Sequence, residues 1–230
     1  MPKTVNLKVV IFFGSARDIT PFCGGNKRLG ERVVRHVLST LADHKGKVGN
    51  QKLSYDITLY DPLEVFDIEN GGALANSGAQ CRYPHFAYKP GEEPEAMHRM
   101  QQEIRAADCY LIISPEYNHS IPPALSGMMD HFGGSNYEYK PSAIITYSHG
   151  PFCGMRCAMA LRPFLSELGC SPIPKLVGFP DALNLFSEIG EVEKSHPMAN
   201  VFASHLPDQL DQLDWYTVAL KNMREKVAGP

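Results

Sequence analysis

The 230-residue chain predicts a doubly wound α/β domain, and three observations carry that prediction. Five short apolar runs are rich in β-branched and aromatic residues: Lys8–Phe13, Ser54–Tyr60, Cys109–Ser114, Ala143–Tyr147 and Ile173–Val177. Helical patterns lie between them, so strand and helix alternate along the chain. No internal repeat interrupts the order. Alternation of this kind calls for a parallel sheet with crossover helices on both faces, and the whole of 1–230 reads as one such domain.

The first run, KVVIFF, is apolar without a break, as expected of a strand buried on both faces. Asn26–Ala42 follows with Leu29, Val33, Val37 and Leu41 at helical spacing and Arg and Glu on the other side. Ser54–Tyr60 alternates more, which suits an edge strand. Gly71–Gly91 has no period and reads as a long loop, a class that is usually functional or mobile. Pro94–Ala107 sets Met97, Met100, Ile104 and Ala107 on one side of a helix. Pro122–Phe132 opens on two prolines, a favoured helix start. Gly154–Leu168 carries Met155, Met159, Leu161, Leu165 and Leu168 and stops at Gly169. A second irregular stretch, Phe179–Asn200, precedes a last helix from about Pro207 to Val227.

Composition narrows the function classes. Hydrophobic residues make up 43% of the chain, enough for a sizeable core. A formal net charge of −3 gives no basic field for nucleic acid. The N-terminal run VVIFF leads into a Gly-Ser turn and not into a cleavage site, and no apolar run approaches the ~18 residues of a membrane span. The six cysteines have no C-x-x-C spacing and read as reduced thiols of a cytosolic protein. The nine histidines offer no pair at metal-ligand spacing on one helix. Glu92, Glu93 and Glu95 read as the acidic start of a helix, so no metal is expected. A hydrolase is disfavoured, because neither G-x-S-x-G nor H-E-x-x-H occurs.

In doubly wound sheets ligands bind beyond the carboxyl ends of the strands. After the first strand comes GSARDITPFCGGNKRLG, where Gly14 allows a tight turn. Ser15, Arg17 and Asn26 offer donors there, and the following helix offers free N–H groups suited to phosphate. It is neither a Walker A loop nor G-x-G-x-x-G. After the third strand comes SPEYNHSIPP, in which prolines stiffen a loop bearing Glu116, Tyr117 and Asn118. After the fourth comes SHGPFCGMR, in which Ser148, Gly150 and Gly154 let backbone approach a ligand. Each loop alone is equally an ordinary βα connection. Together they fall on one rim.

These residues resemble the NADPH-dependent FMN reductases of flavodoxin-like fold, which include quinone, chromate and azo-dye reductases. The family pattern runs G-S-x-R, N-x-x-L, S-P-E-Y-N-x-S-x-P and S-x-G-x-x-x-G-x-R. Here it is met by Gly14–Arg17, Asn26–Leu29, Ser114–Pro122 and Ser148–Arg156, in the same order over about Lys8 to Val177. The resemblance implies a three-layer α/β/α sandwich on a five-stranded parallel sheet of order 2-1-3-4-5. It implies FMN as cofactor and NADPH or NADH as co-substrate. Ser15, Arg17, Gly25 and Asn26 would hold the phosphate. Pro115, Glu116, Tyr117 and Asn118 would line the isoalloxazine, and Ser148, His149, Gly150 and Gly154 would close its other side. The spacer DITPFCGG is longer than in the family, and Gly24 stands where a serine is usual, so that backbone N–H groups of Gly24 and Gly25 would take over from a hydroxyl.

The expected activity is ping-pong transfer of two electrons from NAD(P)H to quinones, free flavin, azo dyes or similar small-molecule acceptors. No protein nucleophile is required. Backbone N–H groups near Gly150 would stabilise the reduced cofactor, and His119 and His149 are more simply solvated loop residues. Tyr83, Phe86 and Tyr88 are equally suited to covering the cofactor, to a subunit contact or to a satellite cluster. The resemblance implies a homodimer or homotetramer, with no nucleic-acid or membrane partner and a cytoplasmic location. The alternatives are an FMN-bound redox sensor in which turnover is incidental, or an electron carrier, for which −3 is a weak charge.

Overall fold

The structure is a computed structural model, and it describes residues 4–17, 25, 26, 28–227 and 229. Its elements are β1 (Thr4–Phe13), α1 (Gly30–Asp43), β2 (Lys47–Val48), β3 (Gln51–Tyr60), α2 (Pro62–Val65), α3 (Glu95–Ala106) and β4 (Cys109–Pro115). They continue as α4 (Pro123–Asp130), β5 (Lys140–Tyr147), α5 (Met155–Glu167), β6 (Cys170–Phe179), α6 (Ala182–Leu185) and α7 (Ala199–Arg224).

The sheet has six strands in the order β2-β3-β1-β4-β5-β6, where five were expected. The five parallel strands do follow the expected flavodoxin-like order. The extra strand is a two-residue edge piece, antiparallel to β3 through Lys47↔Lys52 and Val48↔Gln51. Gly49, at φ +57°, supplies the angle its tight hairpin needs. A two-residue strand is too short to show any alternation, which is why the sequence does not reveal it.

Successive residues of β1 serve opposite faces. Val9, Ile11 and Phe13 pack with Val33, Val37 and Leu41 of α1 and with Phe202, Leu206 and Leu210 of α7. Val10 and Phe12 face Met97, Met100 and Ile104 of α3, Leu125 and Met128 of α4, and Leu161 and Leu165 of α5. Burial on both sides explains why the central strands read as unbroken apolar runs.

Two helix boundaries move. The first helix starts at Gly30, four residues after the expected Asn26, because Arg28 and Leu29 form a turn whose carbonyls accept from Glu31 and Arg32. The last helix starts at Ala199, and Pro207 lies inside it. Proline suits a first helical position, but Phe202 and Leu206 are buried in the core ahead of and beside it. That packing outweighs the backbone bond that Pro207 forgoes.

The stretch 179–200 is correspondingly less irregular than expected. It holds α6 and an antiparallel bridge between Phe186 and Val192. The Gly71–Gly91 loop is anchored along α4. Leu74 is fully buried, His131 Nε2 and Ser77 Oγ lie 2.6 Å apart, and a side chain at Gly127 would strike the carbonyl of Ala79. Within the loop, Tyr88 packs against the core while Tyr83 and Phe86 are exposed. No helix among the described residues is long and apolar enough to cross a membrane.

Candidate functional site

Register brings the three loops together. Phe13 pairs with Ile113 and Pro115 with Tyr147, so the chain leaves β1, β4 and β5 along one rim. Gly14 begins the first loop. Its N–H donates to the Ile113 carbonyl at 2.8 Å, and a Cβ there would sit 2.9 Å from Ser114 Oγ and 3.1 Å from Leu125.

Ser15, Arg17 and Tyr117 form one cluster. Ser15 Oγ lies 3.2 Å from the Tyr117 hydroxyl, which also accepts from the Arg17 N–H at 3.3 Å. The Arg17 guanidinium stacks 3.8 Å from the centre of the Tyr117 ring, a cation–π contact that aims a fixed positive charge along the rim.

Beneath them lies a buried arginine. Arg28 donates to both carboxylate oxygens of Asp61, at 2.7 and 2.5 Å, and to the Ser15 carbonyl at 2.7 Å. Burial alone would lower its pKa. The hydrogen bonds and charge of Asp61, with Glu31 behind, more than offset that and hold it above its ordinary value. Asp61 also caps α2 by accepting the Leu63 N–H. One ion pair therefore ties together the ends of β1 and β3.

Asn26 is where the resemblance places it, but its side chain is engaged. Its Oδ1 accepts from Arg32 Nε at 3.1 Å and its Nδ2 donates to the Glu188 carbonyl at 3.4 Å. Arg32 continues to the carbonyls of Leu183 and Phe186. The Gly25 N–H, expected to face phosphate, donates to Glu188 Oε1 at 3.1 Å. A carboxylate from the C-terminal stretch thus sits on the amide expected to face phosphate. Gly24 and the rest of the long spacer lie outside the described residues.

The β4 loop turns by a different device from its prolines. Tyr117 and Ser120 exchange two backbone hydrogen bonds, at 3.2 and 3.0 Å, and the residues between them sit at φ +49° (Asn118) and +62° (His119). This is the type I′ pattern, which asparagine and histidine tolerate better than most side chains. It leaves Asn118 and His119 exposed, while Pro122 and Pro123 start α4.

Glu116 turns toward the start of α5. Its carboxylate accepts from the N–H groups of Arg156 and Cys157 at 3.0 and 3.4 Å and pairs with the Arg156 guanidinium at 3.0 Å. It caps α5, where a negative charge meets the helix dipole. Its contribution to a ligand is therefore backbone and loop position, while Pro115 ends β4 beside Tyr147.

On the β5 side, the Gly150 carbonyl accepts from Ser148 Oγ at 2.6 Å and from the Asp181 N–H at 3.0 Å. His149 is exposed, and the space where Gly150 would carry a Cβ is open. Gly154 has a different role. At φ +71° its missing Cβ leaves room for Thr146 and the Tyr147 carbonyl, both 3.0 Å away, so α5 starts hard against β5. Cys157, beside Ser114, is no nucleophile, because burial pushes its thiol up to about 11.

The rim can therefore hold a flat anionic ligand, with Arg17 and loop N–H groups for charge and open space at Gly150 for a ring. The expected residues converge there, with Glu116, Asn26 and Gly154 acting from behind. Arg28–Asp61, Arg32, Arg156 and Glu188 escape a sequence reading. Only the R of G-x-x-x-G-x-R marks one of them.

The sequence profile of the NADPH-dependent FMN reductases matches residues 7–184. A quinone reductase of Pseudomonas putida is 31% identical over 116 residues, 47% of this chain and 62% of the relative. An NAD(P)H-dependent FMN reductase of Pseudomonas aeruginosa is 34% identical over 103 residues, 43% of this chain and 56% of the relative. The matches thus span roughly three-fifths of those relatives' own length. Among solved structures, a flavoenzyme NAD(P)H:(acceptor) oxidoreductase from Paracoccus denitrificans shares the fold. Its TM-score is 0.57 at 19% identity, over 94% of this chain and 98% of that one. An oxidoreductase from Corynebacterium diphtheriae gives 0.59 at 15% identity, over 93% and 98%. The chain belongs to the NADPH-dependent FMN reductase family.

Proposed function

We propose that the protein is an FMN-dependent NAD(P)H oxidoreductase that reduces quinones, free flavin, azo compounds and similar planar acceptors. The observation that carries this reading is the Ser15–Arg17–Tyr117 cluster at the mouth of β1 and β4, opposite open space at Gly150. It pairs a fixed cation with room for a flat ring, which is what a phosphorylated heterocycle requires.

FMN supplies the two-electron chemistry when bound. Ser15, Arg17 and the Gly25 N–H hold its phosphate. The backbone of Pro115–Asn118 lines one edge of the ring, and Ser148, His149 and Gly150 line the other. Asn26, Glu116 and Gly154 keep these loops in place. Reductant and acceptor would occupy the same open rim in turn, which makes ping-pong the expected kinetic order. The buried, protonated Cys157 takes no part. The protein acts in the cytoplasm as a homodimer or homotetramer, without nucleic-acid or membrane partners. The names of the curated relatives, which include a quinone reductase and an NADPH azoreductase of Bacillus sp. (strain OY1-2), support the acceptor class.

Steady-state assays of the FMN-loaded protein, varying NADPH against a soluble benzoquinone, test this reading. Parallel double-reciprocal lines are expected. Intersecting lines would overturn the ping-pong order. A yellow protein whose flavin NADPH does not reduce would overturn the enzymatic reading in favour of a redox sensor.

A further inference from the structure

Two groups of three potential metal ligands occur among the described residues, and neither touches the rim described above. In the first, His44 Nε2 and the Tyr55 hydroxyl both bond Asp214 Oδ2, at 2.9 and 2.7 Å, and Asp211 is exposed. That group is already satisfied as a hydrogen-bonded ion pair. The second is hydrogen-bonded through His98 and Glu93 but leaves His85 Nε2 without a partner.

His85 stands in the single turn His85–Ala87 near the end of the long loop, and Glu93 and His98 bracket the start of α3. Glu93 is partly buried, and its Oε1 lies 2.6 Å from His98 Nδ1 and 3.8 Å from His85 Nε2. All three ligand atoms fall within 4.8 Å of one another. A tetrahedral zinc with bonds of about 2.0–2.1 Å holds its ligand atoms about 3.3 Å apart, so these separations bracket what the ion requires.

Three further observations favour a ligand. His85 Nε2 is buried and has no hydrogen-bond partner, although a buried ring nitrogen ordinarily has one. The Gln102 amide lies 2.6 Å from His98 Nε2. As placed, the amide nitrogen faces the ring; a 180° turn of the amide when the ion binds brings its oxygen there, to accept the Nε2–H and leave Nδ1 free for the metal. The other oxygen of Glu93 accepts the Gly91 N–H at 2.8 Å. Metal sites orient their histidines and carboxylates with outer hydrogen bonds of this kind.

We propose that His85, Glu93 and His98 form a site for a divalent transition-metal ion, zinc by ligand type, with water in the fourth position. Two imidazoles and one carboxylate suit zinc better than magnesium or calcium, which prefer oxygen alone. The ligands come from the loop and from the helix that follows it, so the ion staples the loop to α3. The site is structural and lies apart from the flavin rim.

The test is isothermal titration of the chelator-treated full-length protein with ZnCl2, alongside His98→Ala, Glu93→Gln, Gln102→Ala and Asp214→Asn. One zinc per chain is expected. His98→Ala and Glu93→Gln should each weaken binding about 100-fold, and Gln102→Ala, which removes no ligand, about 10-fold. Asp214→Asn should leave it unchanged. Zinc should also slow tryptic cleavage after the exposed Arg82 of the wild-type loop. A wild-type protein that takes up no zinc would overturn the proposal. So would equal affinity in Gln102→Ala and wild type, or loss of binding in Asp214→Asn.

Discussion

Replacing Glu188 with glutamine should tighten FMN binding. In the structure the Glu188 carboxylate accepts the Gly25 N–H at 3.1 Å, and Arg32 lies 3.9 Å beyond. A phosphate that takes this amide must displace the carboxylate. Moved to about 6 Å, the carboxylate still repels a dianion by about 1.4 kcal/mol in water. Salt at 0.15 M, with a Debye length of about 8 Å, reduces that by roughly half. Glutamine can still accept the Gly25 N–H, but a neutral hydrogen bond is weaker than a charged one by about 1 kcal/mol and is that much easier to displace. Glu188 is 56% exposed, so the lower end applies and a gain of about 1–1.5 kcal/mol, near tenfold in Kd, is expected. Quenching of FMN fluorescence on titration reads this directly, and the advantage of Glu188→Gln should shrink in high salt. An unchanged Kd would refute the idea that Glu188 occupies the phosphate amide. A weaker Kd would show instead that Glu188 supports the loop.

Three further predictions follow from the same geometry. Arg28→Met strands Asp61 without its partner and frees the Ser15 carbonyl, so calorimetry should show a loss of about 3–5 kcal/mol. Glu116→Gln removes the charge that caps α5 and pairs with the half-exposed Arg156; a modest loss of about 1 kcal/mol in urea unfolding is expected. Lys140 is buried, and its ammonium donates to the carbonyls of Ile104, Arg105 and Asn136; burial lowers its pKa to about 8. Between that value and the unfolded value of about 10.4 the unfolded chain binds more protons, so this group makes stability rise with pH across that window. Lys140→Met should abolish the rise in urea midpoints measured from pH 8 to 10.

The parallel strands and the rim were legible because both are local signals. Burial on two faces writes itself as unbroken apolar runs, and P-E-Y-N-x-S-x-P is contiguous. What escaped was set by pairs distant in sequence. Arg28 and Asp61 are 33 positions apart, and Gly25 and Glu188 are 163 apart, separations that no periodicity encodes. Glu116 was expected as a site residue, but its direction was not foreseen, since only the folded α5 offers its amides. The proline rules misplaced the last helix, because burial of Phe202 and Leu206 favoured an earlier start. Histidines at 85 and 98 were passed over because they lie on different elements, which only the folded loop brings together.

The central claim, a bound flavin reduced by a nicotinamide cofactor, is tested most directly by one spectrum. The visible absorption of the purified protein, supplied with FMN and then with NADPH without oxygen, should show flavin bands that bleach on reduction. A colourless protein that gains neither bands nor thermal stability from FMN would contradict the account.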